Sequence, residues 1–265
     1  MTNTNASVLW NRAVSKTCFN MGIGCVNGYQ ASLPGQFVMV GLKERFSPLL
    51  RRPFSIHRLN MKDGKVQSIE ILYKVVGEST RLFSALKAGD DISVLGPLGK
   101  GFSWQQSFKR IFMAGGGIGI APLLFLLDTL KQKNADLTDS LGFIGGRSAD
   151  DILCAADMGD LGLSVRISTD DGTSGHHGLI TELMEAAISE KKPDVIYACG
   201  PHPMLKAVSA IADAHRIACQ ISIETMMACG MGACLACAVQ GRKDDATYRH
   251  ACLDGPVFHS EDIRL

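Results

Sequence analysis

Neither sign of charge dominates this sequence: 27 Lys and Arg face 26 Asp and Glu, leaving a net charge of +1 over 265 residues. That balance gives no electrostatic reason to expect nucleic acid or an anionic membrane surface as a partner. Nor is any apolar run long enough to span a bilayer. The longest, Ile111 to Leu127, is 17 residues ended by Asp128, and its centre is glycine-rich loop composition. The opening Met1-Thr2-Asn3-Thr4-Asn5 lacks the basic and apolar regions of a secretory signal, so a soluble cytoplasmic protein is expected. There is no internal repeat and no low-complexity tract. Aromatics are few at 6%, whereas glycine is plentiful at 28, which points to tight turns and backbone brought close to ligands. An apolar content of 46% with 20% charged residues excludes a largely disordered chain.

Length favours more than one domain, and the texture of the chain says where they divide. Through the first hundred residues, short runs rich in Val, Ile and aromatics (Gln36 to Leu42, Val66 to Val76, Asp91 to Leu95) are bounded by Gly, Pro and Asp turns. One helix is expected among them, capped by Ser79 or Thr80, with Leu82, Phe83 and Leu86 on one face. Such a pattern predicts an antiparallel β-barrel over residues 1–105. Strands then alternate with helices: Ile111 to Ala114, a helix from Pro122 to Lys133, Leu141 to Ile144, Ser164 to Thr169, a helix from Leu179 to Glu190, Asp194 to Cys199, and a helix from Pro203 to His215. This predicts an α/β domain with a parallel, doubly wound sheet over 106–222. Residues 223–265 are Gly- and Cys-rich, too few to bury a large core, and read as a small loop domain stapled by a metal centre. The whole is a mixed α+β, multidomain architecture.

The staple is legible in the cysteines. Four of the nine fall within 24 residues as Cys229-x4-Cys234-x2-Cys237-x14-Cys252, an arrangement unlike a disulfide scaffold. C-x4-C-x2-C with a distant fourth cysteine is the plant-type [2Fe–2S] spacing. A tight loop must wrap the cluster with amides aimed at its sulfurs, and Gly230, Gly232, Ala233 and Ala236 let the chain come that close. A four-cysteine zinc site is the alternative, although zinc sites usually pair two similar knuckles.

Two further motifs concern nucleotides. Arg51-Arg52-Pro53-Phe54-Ser55 offers a guanidinium fork suited to a diphosphate, a proline-fixed turn and a hydroxyl for a flavin ring nitrogen. Read alone it is equally a surface turn. Ile71-Leu72-Tyr73-Lys74 and Gly77-Glu78-Ser79-Thr80 follow, the latter opening a helix whose N-terminus suits phosphate. Gly115-Gly116-Gly117-Ile118-Gly119-Ile120-Ala121-Pro122 joins a strand to a helix and is not the G-x-G-x-x-G fingerprint. Cys199-Gly200-Pro201-His202-Pro203-Met204 ends another strand, and Thr169-Asp170 a third. All these ends belong at the carboxyl edge of a parallel sheet, where nucleotides bind.

In this order the motifs resemble the ferredoxin–NADP reductase superfamily of flavoproteins. The resemblance implies FAD contacts from Arg52, Pro53, Phe54, Ser55, Leu72, Tyr73, Lys74, Ser79 and Thr80. It implies a nicotinamide nucleotide site from Gly115, Gly116, Gly117, Gly119, Ala121, Pro122, Thr169, Asp170, Cys199, Gly200, Pro201 and Met204, with Cys199 near the nicotinamide. Arg147 pulls towards NADP and Asp150 and Asp151 against it. His57 follows the flavin motif and is a further candidate beside the ring, while His176-His177 reads as a solvated loop.

The cysteine loop with Glu224, and the tail Cys252-x-Asp254-Gly255-Pro256-Val257-Phe258, narrow the likeness. The chain resembles the electron-transfer subunits of type B, NAD-linked dihydroorotate dehydrogenase. That implies FAD, a [2Fe–2S] cluster held by Cys229, Cys234, Cys237 and Cys252, and NAD. It also implies a separate FMN-containing catalytic partner in a heterotetramer of pyrimidine biosynthesis, because the chain is too short to hold a barrel of about 250 residues besides its own domains. No acid–base catalytic residue is expected. The nearest alternative is a related FAD/[2Fe–2S] NAD(P)H reductase subunit serving a hydrogenase, a sulfite reductase or ferredoxin–NADP oxidoreduction.

Overall fold

The computed structural model describes residues 2–24, 28–43, 48–242 and 246–265. Six antiparallel strands close a barrel: β1 (Thr2–Ala13), β2 (Cys18–Gly24), β3 (Phe37–Leu42), β4 (Arg52–Lys62), β5 (Lys65–Lys74) and β6 (Asp91–Leu98), in the order β1-β2-β5-β4-β3-β6. Alternate residues such as Met21, Ile23, Val38, Val40, Ile69 and Ile71 fill its interior. The first strand carries little sequence signal of its own, whereas β2 alternates Phe19, Met21 and Ile23. β1 is mostly small and polar, with Ala6 and Val8 buried, and it is specified by ladders to β2 and β6 rather than by hydrophobicity.

Two local expectations are corrected. The Arg52–Ser55 motif is not a turn but the start of β4, with Pro53 opposite Met39; proline is tolerated near a strand's first residue. The helix α1 (Glu78–Ser84) is capped at Gly77, not at Ser79 or Thr80. The Thr80 hydroxyl instead reaches back, accepting the Val76 and Gly77 N–H groups at 2.9 and 3.1 Å.

Beyond the barrel lies a seven-stranded sheet. Its strands are β7 (Ile111–Gly116), β8 (Leu141–Gly146), β9 (Ser164–Thr169), β10 (His176–His177), β11 (Val195–Cys199), β12 (Ala218–Ser222) and β15 (Val257–His259), ordered β10-β9-β8-β7-β11-β12-β15. All pair in parallel except β15, which runs antiparallel to β12. Helices α2 (Ile120–Gln132), α3 (Ala155–Asp160), α4 (Ile180–Glu190) and α5 (His202–His215) cover its faces. Among the described residues no helix is long and apolar enough to cross a membrane.

The cysteine segment carries the short ladder β13 (Ala238–Gln240) with β14 (Tyr248–His250), and returns through β15 to the main sheet. It is therefore less separate than its composition predicts. Phe37, Met39 and Leu98 of the barrel, Ala198 and Ile221 of the sheet, and Cys237, Cys252 and Phe258 share one buried cluster. The Gly255 carbonyl accepts the Lys100 N–H at 2.5 Å, and the Pro256 carbonyl accepts the Ile223 N–H at 3.0 Å. Three textures of sequence thus meet in one buried cluster.

Candidate functional site

Two adjoining cavities open between the barrel and the carboxyl edge of the sheet. The first encloses about 400 Å³, within the roughly 300–1,000 Å³ of ligand sites. Every residue expected to touch the flavin cofactor lines it: Arg52, Pro53, Phe54 and Ser55 from β4, Leu72, Tyr73 and Lys74 from β5, and Ser79 and Thr80 from α1. Of the two adjacent arginines, Arg51 turns away to donate to the Ser93 hydroxyl at 2.7 Å, and Arg52 faces the cavity. The wall behind is rigid. Tyr73 stacks on Phe19 at 5.8 Å and 21°, Phe54 leans on both Tyr73 and Phe83, and the Tyr73 hydroxyl donates to Asn11 at 3.0 Å. Burial pushes the Tyr73 phenol up to about 12, so it stays a neutral donor.

Sequence reasoning missed a stretch of this wall. Ser222, Ile223, Thr225 and Met227 line the first cavity and carry no motif; Glu224 joins them, as does Pro256 of the tail. Their signal was positional, since a chain leaving parallel strand β12 emerges at the same edge as the chains leaving β7 and β11.

The second cavity encloses about 760 Å³. Gly116, Gly117, Gly119, Asp170, Gly200, Pro201 and Met204 line it, with Arg147 and Asp151. The loop after β7 and the loop after β11 touch so closely that side chains are excluded. A Cβ on Gly116 would lie 2.6 Å from Met204 Sδ, and one on Gly119 would lie 2.4 Å from the Cys199 carbonyl oxygen. Gly117 has φ +53° with open space around it, so its backbone is presented to the cavity.

The remaining predicted residues lie elsewhere. Ala121 and Cys199 line the first cavity. Gly115 is buried, and its built Cβ would meet Ile120. Pro122 sits buried in the first turn of α2. Thr169 is fully buried, its hydroxyl donating to the Ser174 carbonyl at 2.9 Å to hold the following loop. His57 turns away from both cavities, its Nδ1 3.0 Å from the Ala121 carbonyl. His176 pairs with Glu182 at 2.6 Å on the surface.

Lys74, Val76, Ile118 and Glu224 line both cavities, so the two spaces share a wall. At this junction burial pushes the Cys199 thiol up to about 12, and the Glu224 charge adds to the effect. Glu224 is itself raised above the usual carboxylate range by burial. Cys199 is thus a neutral contact group, not an ionised base.

The four clustered thiols form two pairs. Cys237 and Cys252 are buried with sulfurs 3.2 Å apart. Cys229 accepts the Met231 and Cys234 N–H groups, each at 3.4 Å, and also touches the Cys234 thiol. Burial pulls the Cys229 thiol up, but the Met231 and Cys234 amides, the Cys234 thiol and the Ala233 amide together more than reverse it and leave it at about 6. Its neighbours Gly230 and Gly232 have φ +72° and +85°, and their built Cβ atoms would strike Met39 and Leu253. Two pairs of thiols, with amides aimed at sulfur, fit two irons bridged by sulfide. The eight described cysteines are all free; Cys25 lies outside the described residues.

Comparison with known proteins points the same way. Residues 224–264 match the iron-sulfur cluster binding domain of dihydroorotate dehydrogenase B, and residues 113–210 match the oxidoreductase NAD-binding domain. The chain is 38% identical to the dihydroorotate dehydrogenase B (NAD(+)) electron transfer subunit of Caldanaerobacter subterraneus subsp. tengcongensis, covering 97% of each chain. It is 40% identical to the subunit of that name from Listeria monocytogenes, covering 91% of this chain and 90% of the other. Among solved structures it superposes with a TM-score of 0.85 on an NADH-dependent reduced ferredoxin-NADP oxidoreductase described for flavin-based electron bifurcation. That likeness is at 26% identity and covers 98% of this chain and 89% of the other.

Proposed function

The chain belongs to the family of electron-transfer subunits of NAD(+)-linked dihydroorotate dehydrogenase B, and we propose that it relays electrons from a separate FMN-bearing catalytic subunit, within a cytoplasmic heterotetramer, to NAD+. Once bound, the cofactors supply the redox chemistry: a [2Fe–2S] cluster carries single electrons, and FAD gathers two and exchanges hydride with nicotinamide.

What the chain contributes is placement. Cys229, Cys234, Cys237 and Cys252 would hold the cluster, and the Met231 and Cys234 amides would stabilise negative charge on the Cys229 sulfur. FAD would occupy the first cavity, where Arg52 would offer its guanidinium to the diphosphate and the wall of Phe19, Phe54, Tyr73 and Phe83 would resist displacement. NAD+ would take the second, where the glycine backbone before α2 would receive its diphosphate and Gly200, Pro201 and Met204 would complete the lining. Division at about residues 105 and 222 follows these three tasks, although one buried cluster draws on all three.

The observation that carries this reading is the common wall. Because Ile118, Val76, Lys74 and Glu224 border both cavities, the two spaces adjoin at these four side chains, the adjacency that hydride exchange between a flavin and a nicotinamide requires. The test is co-expression with a candidate FMN barrel subunit, followed by anaerobic addition of dihydroorotate and NAD+. We expect the subunits to co-elute and NADH to form. A chain that binds FAD and iron yet forms NADH with no such partner would send the reading to another reductase system.

A further inference from the structure

We infer that Gln220 is a positioning residue for transfer between flavin and nicotinamide: its buried side-chain amide grips the backbone of Ser103 and so fixes how the barrel sits on the sheet. The inference rests on the reading of the two cavities as adjoining FAD and NAD sites. The chain leaves the barrel at Leu98 and enters the sheet at Ile111, and Ser103 lies in that connection, at the surface. Gln220 stands at the centre of β12 and is 5% exposed. Its Oε1 accepts the Ser103 N–H, and its Nε2 donates to the Ser103 carbonyl and hydroxyl, each at 2.9 Å. The same carbonyl accepts the hydroxyl of Tyr197, a fully buried residue of β11, at 2.8 Å. Tyr197 and Gln220 are register partners in the parallel ladder, so adjacent strands hold one residue of the connection.

An apolar side chain would fill this place in the sheet without the cost of burying an amide; what the amide adds is a fixed attachment. Consecutive residues of the connection face opposite ways. The Phe102 N–H donates to the Pro34 carbonyl on the barrel side at 2.7 Å, and Ser103 bonds to the sheet. The attachment is close to the site. Cys199 and Ser222 follow Tyr197 and Gln220 by two positions, on the same strand faces, and both line the first cavity. The barrel supplies further wall of that cavity from β4 and β5. The ion pairs Lys16–Asp150 and Arg58–Asp157 also join barrel to sheet, but they are solvent-exposed, and such pairs hold geometry weakly. Hydride exchange needs its reacting atoms about 3–3.5 Å apart, and a misplacement of about 1 Å costs about 10²-fold. A small slip of barrel on sheet therefore slows transfer without emptying either cavity.

The test uses the full chain loaded with FAD and iron, both assayed on every preparation. Anaerobic stopped-flow mixing with NADH gives the rate of reduction per bound FAD and the NADH Kd, and hydrogen exchange of the Ser103 amide is followed by mass spectrometry. We expect Gln220→Leu to speed that exchange about tenfold or more. FAD reduction at saturating NADH should slow about 10- to 100-fold, with the NADH Kd within about threefold of wild type and the long-wavelength charge-transfer absorbance of the flavin–NADH pair weakened. Tyr197→Phe removes one of the two donors to the Ser103 carbonyl and should slow reduction about threefold, again with Kd unchanged. Reduction by Gln220→Leu within about twofold of wild type overturns the proposal, even if Ser103 exchanges faster. A defect confined to FAD content or to the NADH Kd overturns it too, since either makes the clamp a brace alone. If Gln220→Leu fails to fold, Tyr197→Phe decides: an unchanged saturating rate ends the positioning role. Wild-type FAD that NADH does not reduce removes the reading of the cavities instead, a failure seen before any substitution is made.

Discussion

His57 and Cys237 show how single side chains near the cavities divide between support and ligation. His57 follows the flavin motif on β4, yet its ring is 3% exposed and bonded to the Ala121 carbonyl, pinning the start of α2 to the barrel. Burial lowers its pKa from 6.5 most strongly. The Ala121 carbonyl opposes that, Arg58 adds to it, and Glu70 and Asp157 oppose it weakly. With the folded pKa below the unfolded one, the unfolded chain binds more protons as pH falls past about 6.5. Stability is then fully present above that pH and is lost below it. Urea midpoints measured from pH 7.5 to 5.5 should therefore fall for the wild type and fall less for His57→Gln; parallel curves would refute this. Cys237 is the contrary case. Cys237→Ala should abolish bound iron and acid-labile sulfide while FAD stays, whereas Cys219→Ala, a buried thiol of β12 outside the cysteine loop, should keep both. Metal analysis with a visible spectrum separates the two.

At the scale of elements, the approach of two loops decides whether the second cavity exists. With a built Cβ at Gly119 lying 2.4 Å from the Cys199 carbonyl oxygen, Gly119→Ala must push backbone from backbone, at a cost of about 1–3 kcal/mol. We expect a lower melting temperature and NADH affinity reduced at least tenfold, with FAD retained; unchanged NADH affinity would show that the loops can part harmlessly. These loops were legible in the sequence because glycine next to a buried strand and a helix-starting proline leaves few other readings. For the same reason the strand Ser164–Thr169 and the helices around Ile120–Gln132 and His202–His215 match their hydrophobic pattern. β1 was not legible, because its first residues are Thr and Asn and its buried side is only the small Ala6 and Val8. The return of Val257–His259 to the sheet was hidden too: three residues carry no period, and the partner strand lies more than thirty positions upstream. Within the site, motif residues on β4, β5 and α1 were found together. Ser222 and Thr225 were missed because only the fold brings them there.

For the whole molecule, the distribution of exposed apolar side chains bears on where a partner docks. Met226 is 83% exposed, Leu235 56%, Leu253 50% and Met231 42%, all on or beside the loop that carries exposed Cys234. Large apolar groups gathered on a surface mark contact sites, and a relay of single electrons needs its metal centre close to the donor. We therefore expect the proposed catalytic subunit to dock on this loop. Leu235→Glu together with Met226→Glu places two carboxylates on the patch without touching a residue that lines either cavity. The double variant should keep its iron, its FAD and NADH-driven reduction of ferricyanide within about twofold, while no longer co-eluting with the catalytic subunit or forming NADH from dihydroorotate. A charge in the centre of an interface costs several kcal/mol when it finds no partner, so the loss of association should be complete at micromolar concentration. Co-elution undiminished, with iron intact, would move the docking surface elsewhere, and the exposed leucines and methionines would then need another reason to face solvent.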